Sequence, residues 1–370
     1  ELIDPHSGEV KKVVSARTLW VKLLQNRMET GEPYLMFEDA VNADLPDFQK
    51  NKGLRVHHSN LCSEITLATN DERTAVCCLS SVNLEYYDEW KKVPAFIPDL
   101  IRMLDNVLES FIQNAPQQLE RAKFSALRER SLGLGAMGFH AYLQKNGISF
   151  ESPLASAINY EMFDSIKSQA QNTTEQLAVE RGACPDDDSC SVRNTHLLAI
   201  APNASSSIIC GNTSPSIEPF RANAYTQKTK SGSYLQKNKF LEELLEKYEQ
   251  NTENTWKSIV TNKGSVQHLE FLSEEEKEVF KTAVEINQSW VIEHAAQRQE
   301  FICQSQSVNL FFPPDVNKGE LHNIHMLAWA KNMKTLYYLR SEAISRADNV
   351  SNKIKREIIF EQQDCLSCEG

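Results

Sequence analysis

An α/β fold with parallel strands is what the sequence predicts, and three observations predict it. Segments with helical spacing alternate with short apolar runs of strand length along most of the chain. Turn residues bound those runs. Of the 370 residues, 41% are hydrophobic and 24% charged, enough to build a sizeable core under a polar surface.

The elements follow in order. Residues 14–29 read as an amphipathic helix, with Leu19, Val21, Leu23 and Leu24 among the apolar positions. Thr30-Gly31-Glu32-Pro33 stops it, and Tyr34-Leu35-Met36-Phe37 suits a short buried strand. Residues 60–68 and 75–84 read as two further extended segments, separated by the turn-like Asn70-Asp71-Glu72-Arg73. Such a pair would set Cys62 and Cys77 side by side on neighbouring strands. Residues 96–114 and 156–181 read as helices. Residues 273–298 read as the clearest helix, capped by Ser273 with Glu276 as the capping-box carboxylate. Residues 305–312 form an expected strand ending at Pro313-Pro314, 321–331 a helix, and 335–339 a strand. From 351 the chain turns charged and loses periodicity, so 1–350 read as one domain and 351–370 as a mobile tail.

A net charge of -11 argues against nucleic acid or an anionic membrane as the main partner. No apolar run has the length of a membrane span, and the first residues lack the apolar stretch of a signal peptide. Nine scattered cysteines do not resemble a secreted disulfide framework. Reduced thiols and a cytoplasmic location are the expectation.

Several residues carry candidate chemistry. If 60–68 is extended, Asn60, Cys62 and Glu64 share one face, bringing an amide, a thiol and a carboxylate together. Cys62 alone reads equally as a small core residue. The Cys77-Cys78 pair offers two buried thiols on opposite faces, also compatible with plain packing. Pro202-Asn203-Ala204-Ser205-Ser206-Ser207 follows an apolar run, so its hydroxyls and free N–H groups could face an anion or simply cap a helix. Tyr337-Tyr338 suits packing in a strand. Cys365-Leu366-Ser367-Cys368 is too few ligands for zinc but suits disulfide exchange. His322 and His325 lack the carboxylate spacing of a metal site, so no metal is expected. Gly133-Leu134-Gly135-Ala136-Met137-Gly138 matches a dinucleotide fingerprint as a string, but Arg128-Glu129-Arg130-Ser131 before it is no buried strand. Those glycines read as close backbone packing.

Taken in order, Asn60-Leu61-Cys62-Ser63-Glu64, Cys77 in Ala75-Val76-Cys77-Cys78-Leu79, Pro202-Asn203-Ala204-Ser205-Ser206, Ile217-Glu218-Pro219, Gln304-Ser305-Gln306-Ser307, Lys334-Thr335-Leu336-Tyr337-Tyr338 and the terminal dithiol resemble the class I ribonucleotide reductase large subunit. The resemblance implies part of a ten-stranded α/β barrel with Cys62 on a central finger loop. It implies thiyl-radical reduction of ribonucleoside diphosphates to 2′-deoxyribonucleoside diphosphates. Cys62 would be the thiyl radical, Glu64 the base, Asn60 the ribose-hydroxyl ligand and Cys77 one reducing thiol. Tyr337 and Tyr338 would relay the radical, and Asn203, Ala204, Ser205 and Ser206 would cradle the diphosphate. Cys365 and Cys368 would shuttle electrons from thioredoxin or glutaredoxin. No cofactor would bind this chain directly; a metal-containing small subunit would supply the radical. The second reducing cysteine belongs to the N-terminal half of that family, so a divided subunit docking to an N-terminal companion is expected. Cys78, Cys184, Cys190, Cys210 and Cys303 receive no role. The competing expectations are a thiyl-radical reductase of another class, which would need no tyrosine pair, and a non-catalytic half-subunit that only binds a partner.

Overall fold

The computed structural model describes residues 1–229 and 232–341. Its central feature is a set of parallel segments joined edge to edge in chain order. Strand Cys78–Asn83 pairs in parallel with Leu132–Met137. Leu134 then bridges Leu198, and Ile200 bridges Gln306, both in parallel. The run through Gln306 continues into strand Leu310–Phe312, which pairs in parallel with Leu339–Ser341. Parallel neighbours need long crossovers, and helices supply them. Phe96–Asn114 and Pro153–Arg181 come between successive members of the series, as do Gln288–Gln299 and Lys318–Ala330 further along.

The helices form where the sequence dictates. Ile97, Ile101, Leu104, Leu108 and Ile112 recur every three or four residues and are all buried on Phe96–Asn114. Pro153–Arg181 starts with Ser152, whose hydroxyl accepts from the Ala155 N–H, and with proline in the first turn. One large apolar core lies between these helices and the sheet. A second cluster around Leu241, Leu245, Trp256 and Ile259 packs beneath the hairpin of Ala224–Thr229 and Gly232–Lys237. Two buried carboxylates are each met by more than one guanidinium. Asp105 accepts from Arg130, Arg181 and Arg193, and Asp186 from Arg73 and Arg128.

The α/β expectation is met, with differences in particular elements. Residues 273–298 are two helices, Glu274–Val279 and Gln288–Gln299. The Ser273–Glu276 capping box forms as expected. Between the helices, Glu285 accepts from the Thr282 N–H and hydroxyl at 2.7 and 2.8 Å, and Ala283 donates to Phe220 O at 2.8 Å. Asn287 then caps the second helix through the Ser289 N–H. Side chains and a distant carbonyl thus take the N–H groups a continuous helix would need.

Residues 60–68 are a loop rather than a strand. Cys62 and Cys77 therefore do not lie on neighbouring paired strands; the partner of Cys78–Asn83 is Leu132–Met137. The expected strand at 335–339 is interrupted at Tyr337-Tyr338, with Thr335–Leu336 antiparallel to Leu35–Met36. The glycine string is a fully buried strand packed against its neighbours. A Cβ at Gly133 would sit 2.5 Å from Leu79 Cδ2 and 2.8 Å from Cys77 Sγ, and one at Gly135 would sit 2.5 Å from Ala199 O. Close packing accounts for both residues. His322 and His325 are engaged by Trp20 and by Arg27 respectively. Among the described residues no cluster of three or more His, Cys, Asp or Glu is arranged to hold a metal, and no helix is long and apolar enough to cross a membrane.

Candidate active site

The loop carrying Cys62 is held by its own polar groups. Asn60 Oδ1 accepts from the Ile65 N–H at 3.0 Å, and Asn60 N donates back to Ile65 O at 3.2 Å. Ser63 adopts a left-handed φ of 71°, which lets the chain reverse between these anchors. The result buries Cys62, Ser63 and Glu64, at 8%, 1% and 2% exposure.

The 304–307 segment fixes this loop from outside. Ser305 N donates to Glu64 O at 2.9 Å. The Ser307 hydroxyl lies 2.5 Å from Cys62 O and 3.2 Å from Glu64 Oε2. Burial pushes the Glu64 carboxyl above its ordinary range, while Asn60 and Ser307 partly offset that by hydrogen bonding. A carboxylate so placed is a stronger proton acceptor than one in water.

Cys77 immediately precedes strand Cys78–Asn83 and leans on the same segment, with Gln304 Nε2 3.3 Å from its sulfur. Burial pushes its thiol well up, so it is a protonated donor at neutral pH. Both thiol-bearing stretches therefore rest on consecutive residues of one wall.

On the other side of Cys62 stands Tyr337, whose hydroxyl lies 3.6 Å from Cys62 Sγ. The Tyr338 ring centroid is 4.4 Å from that of Tyr337. Backbone bonds fix the pair: Tyr337 N donates to Val308 O, and Tyr338 N to Asn309 Oδ1. Arg27 donates to Tyr337 O at 3.1 Å, and the Arg340 guanidinium lies 4.0 Å from the Tyr338 ring centroid. Tyr337 is buried and Tyr338 half-buried, so the row runs from protein interior towards surface.

Asn203 ends the segment through Ile200 with a left-handed φ of 54°, and helix Ala204–Ile209 begins directly after it. The expected turn and helix start are therefore present, while the apolar run before them carries isolated parallel bridges at Leu198 and Ile200 rather than a strand. Ser81 donates to Asn203 Oδ1 at 3.2 Å. A cavity of about 440 Å³ adjoins the helix start, lined by Ala204, Ser207, Thr213, Arg221 and Lys237 among others. Ser205 and Ser206 are half-buried, and neither they nor Asn203 line this cavity. Cys365 and Cys368 lie outside the described residues.

Sequence reasoning missed the supporting residues Ser305, Ser307, Arg27, Asn309 and Arg340, together with Tyr34. A signal existed for the serines: Gln304-Ser305-Gln306-Ser307 is a polar run just before an apolar strand, and all four residues are buried. Nothing local marks Arg27 or Tyr34 as neighbours of Tyr337, which follows Arg27 by 310 positions.

Comparison with known proteins gives the family. The family model described as "Ribonucleotide reductase, barrel domain" matches residues 3–189 and 187–339. The chain belongs to the ribonucleotide reductase barrel-domain family. It is 48% identical over 373 residues to a ribonucleoside-diphosphate reductase large subunit from Invertebrate iridescent virus 3, an alignment covering 100% of this chain and 59% of the relative. It is 47% identical over 373 residues to a putative large subunit from Frog virus 3, covering 100% of this chain and 65% of the relative. The solved Actinobacillus ureae class Id ribonucleotide reductase alpha subunit superposes with a TM-score of 0.83 at 44% identity, over 89% of this chain and 62% of that one. The chain thus spans less than two thirds of these relatives.

Proposed function

We propose that this chain is the catalytic barrel portion of a ribonucleoside-diphosphate reductase large subunit. The contact between Tyr337 and Cys62 carries the reading, because it places an oxidisable phenol against a buried thiol. A radical handed from Tyr338 to Tyr337 takes the Cys62 hydrogen and leaves a thiyl radical. That radical abstracts the 3′ hydrogen of the ribose, a bond no closed-shell acid or base here could break. Glu64 accepts the 3′-hydroxyl proton, and Asn60 orients the ribose hydroxyls. The Cys77 thiol donates to the leaving 2′-hydroxyl, which departs as water. Cys77 and a second thiol then supply two electrons and close a disulfide.

The second thiol comes from the N-terminal portion of a large subunit, outside these 370 residues. A metal-containing small subunit supplies the radical. The free N–H groups that begin helix Ala204–Ile209, with Asn203, Ser205 and Ser206, take the substrate diphosphate. Cys365 and Cys368 re-reduce the disulfide and are recharged by thioredoxin or glutaredoxin, in keeping with a cytoplasmic setting.

Cys62→Ser in the assembled enzyme tests the proposal. The variant should bind substrate and form no deoxynucleotide. Undiminished deoxynucleotide formation would refute it.

A further inference from the structure

Tyr337 and Tyr338 are not alone. Tyr34, just after the first long helix, puts its ring centroid 4.6 Å from that of Tyr337 and 4.8 Å from that of Tyr338. Its hydroxyl donates to Glu32 Oε1 at 3.2 Å. The Tyr338 ring stands edge-on to that of Tyr34, with 82° between the planes. Glu32 is solvent-exposed, Tyr34 and Tyr338 are half-buried, and Tyr337 is buried. A row of phenols in contact therefore joins the outer tyrosine of the pair to a carboxylate open to water.

Oxidising a phenol at neutral pH requires its proton to leave with its electron. Between Tyr338 and Tyr337 the proton can cross with the electron, since the rings are in contact. The first oxidation, of Tyr338 by a partner outside this chain, has no such arrangement within the described residues. We propose that Tyr34 and Glu32 form the proton exit for that step. The electron passes from Tyr338 to the oxidant on the radical-generating subunit, which is reduced. The Tyr338 proton passes to the Tyr34 hydroxyl oxygen as the Tyr34 proton passes to the Glu32 carboxylate. Tyr338 is left a neutral radical and Glu32 a neutral acid. Re-reduction of Tyr338 at the end of turnover reverses each transfer. Tyr34 is itself not oxidised.

The surrounding charges are consistent with this direction. Arg27 lies beneath the loop and donates to Pro33 O, and Arg340 covers the Tyr338 ring. Both cations disfavour a charged phenol cation next to them, so loss of the electron without the proton is penalised. Burial and the neighbouring phenols push the Tyr34 hydroxyl well above its ordinary range, which keeps it protonated and able to pass a proton on rather than hold a negative charge.

The inference rests on the reading of Tyr337 and Tyr338 as a radical relay, so the test separates the two. Glu32→Gln, Tyr34→Phe and Tyr337→Phe are each assembled with the N-terminal portion, small subunit and dithiol reductant, and turnover is followed against pH and against added acetate or imidazole. Glu32→Gln and Tyr34→Phe should each lose about tenfold or more at neutral pH. Turnover of Glu32→Gln should rise with pH and with buffer-base concentration, because the carboxylate it replaces is open to solvent; Tyr34→Phe should not respond. Normal turnover in Glu32→Gln or in Tyr34→Phe overturns the proton exit, as does a Glu32→Gln defect that no buffer base relieves, provided Tyr337→Phe is inactive. An active Tyr337→Phe removes the relay itself, and this inference with it.

Discussion

Ser307 holds both halves of the Cys62 loop, its hydroxyl lying 2.5 Å from the carbonyl of Cys62 and 3.2 Å from the carboxylate of Glu64. One side chain thus sets the Cys62 backbone and the Glu64 carboxylate relative to each other. Ser307→Ala should cost about 1–3 kcal/mol of stability, the usual penalty for stranding buried partners. It should also lower kcat more than it raises KM. Denaturant unfolding and steady-state kinetics on the assembled enzyme check both.

Glu64→Gln should lower kcat by about 10²- to 10⁴-fold with little change in fold, because it keeps the shape and removes the proton acceptor. Activity of the parent enzyme should fall as pH drops through the raised value of this carboxyl, since only the ionised form accepts a proton. Stability runs the other way. The folded state binds the Glu64 proton more tightly than the unfolded chain does. Between the ordinary carboxylate value and the raised one, the native state therefore holds more protons, and this group's contribution to stability declines as pH rises. The parent should lose more stability than Glu64→Gln across that window, as paired urea titrations would reveal.

Gly133→Ala should destabilise by about 1–3 kcal/mol through overpacking, because the added methyl meets Leu79 and the Cys77 sulfur. Its effect on turnover should exceed that of Gly135→Ala at matched stability, since the Gly135 methyl meets Ala199 O rather than the Cys77 sulfur. Thermal melts with parallel activity assays make the comparison.

Asp105→Asn should cost about 3–5 kcal/mol, as it leaves Arg130, Arg181 and Arg193 around a neutral group. Those guanidiniums hold the Asp105 carboxyl below its ordinary range against burial. Its contribution to stability is present above the unfolded aspartate value and is lost as pH falls towards the lowered folded one. Acid unfolding of the parent should therefore be steeper than that of the variant.

What was legible in the sequence was whatever local pattern decides. Helix Phe96–Asn114 has the bounds its apolar spacing predicts, and the Ser273–Glu276 cap is where the residues place it. The motif order led to the family. Residues 60–68 form a loop where the sequence predicts a strand, because the turn depends on Asn60 bonding Ile65 and on Ser305 and Ser307 from far along the chain. The break at 280–287 was hidden because Thr282, Glu285 and Phe220 redirect the backbone by tertiary contacts that periodicity does not register. Tyr34 went unnoticed for the same reason: its meaning comes from Tyr337 and Tyr338, which only folding brings to it.

The most direct test is deoxynucleotide formation by Tyr337→Phe in the fully assembled enzyme. Loss of one hydroxyl should leave folding and substrate binding intact and abolish product, because phenylalanine cannot carry a radical to Cys62. Product formed at the parent's rate would contradict the account.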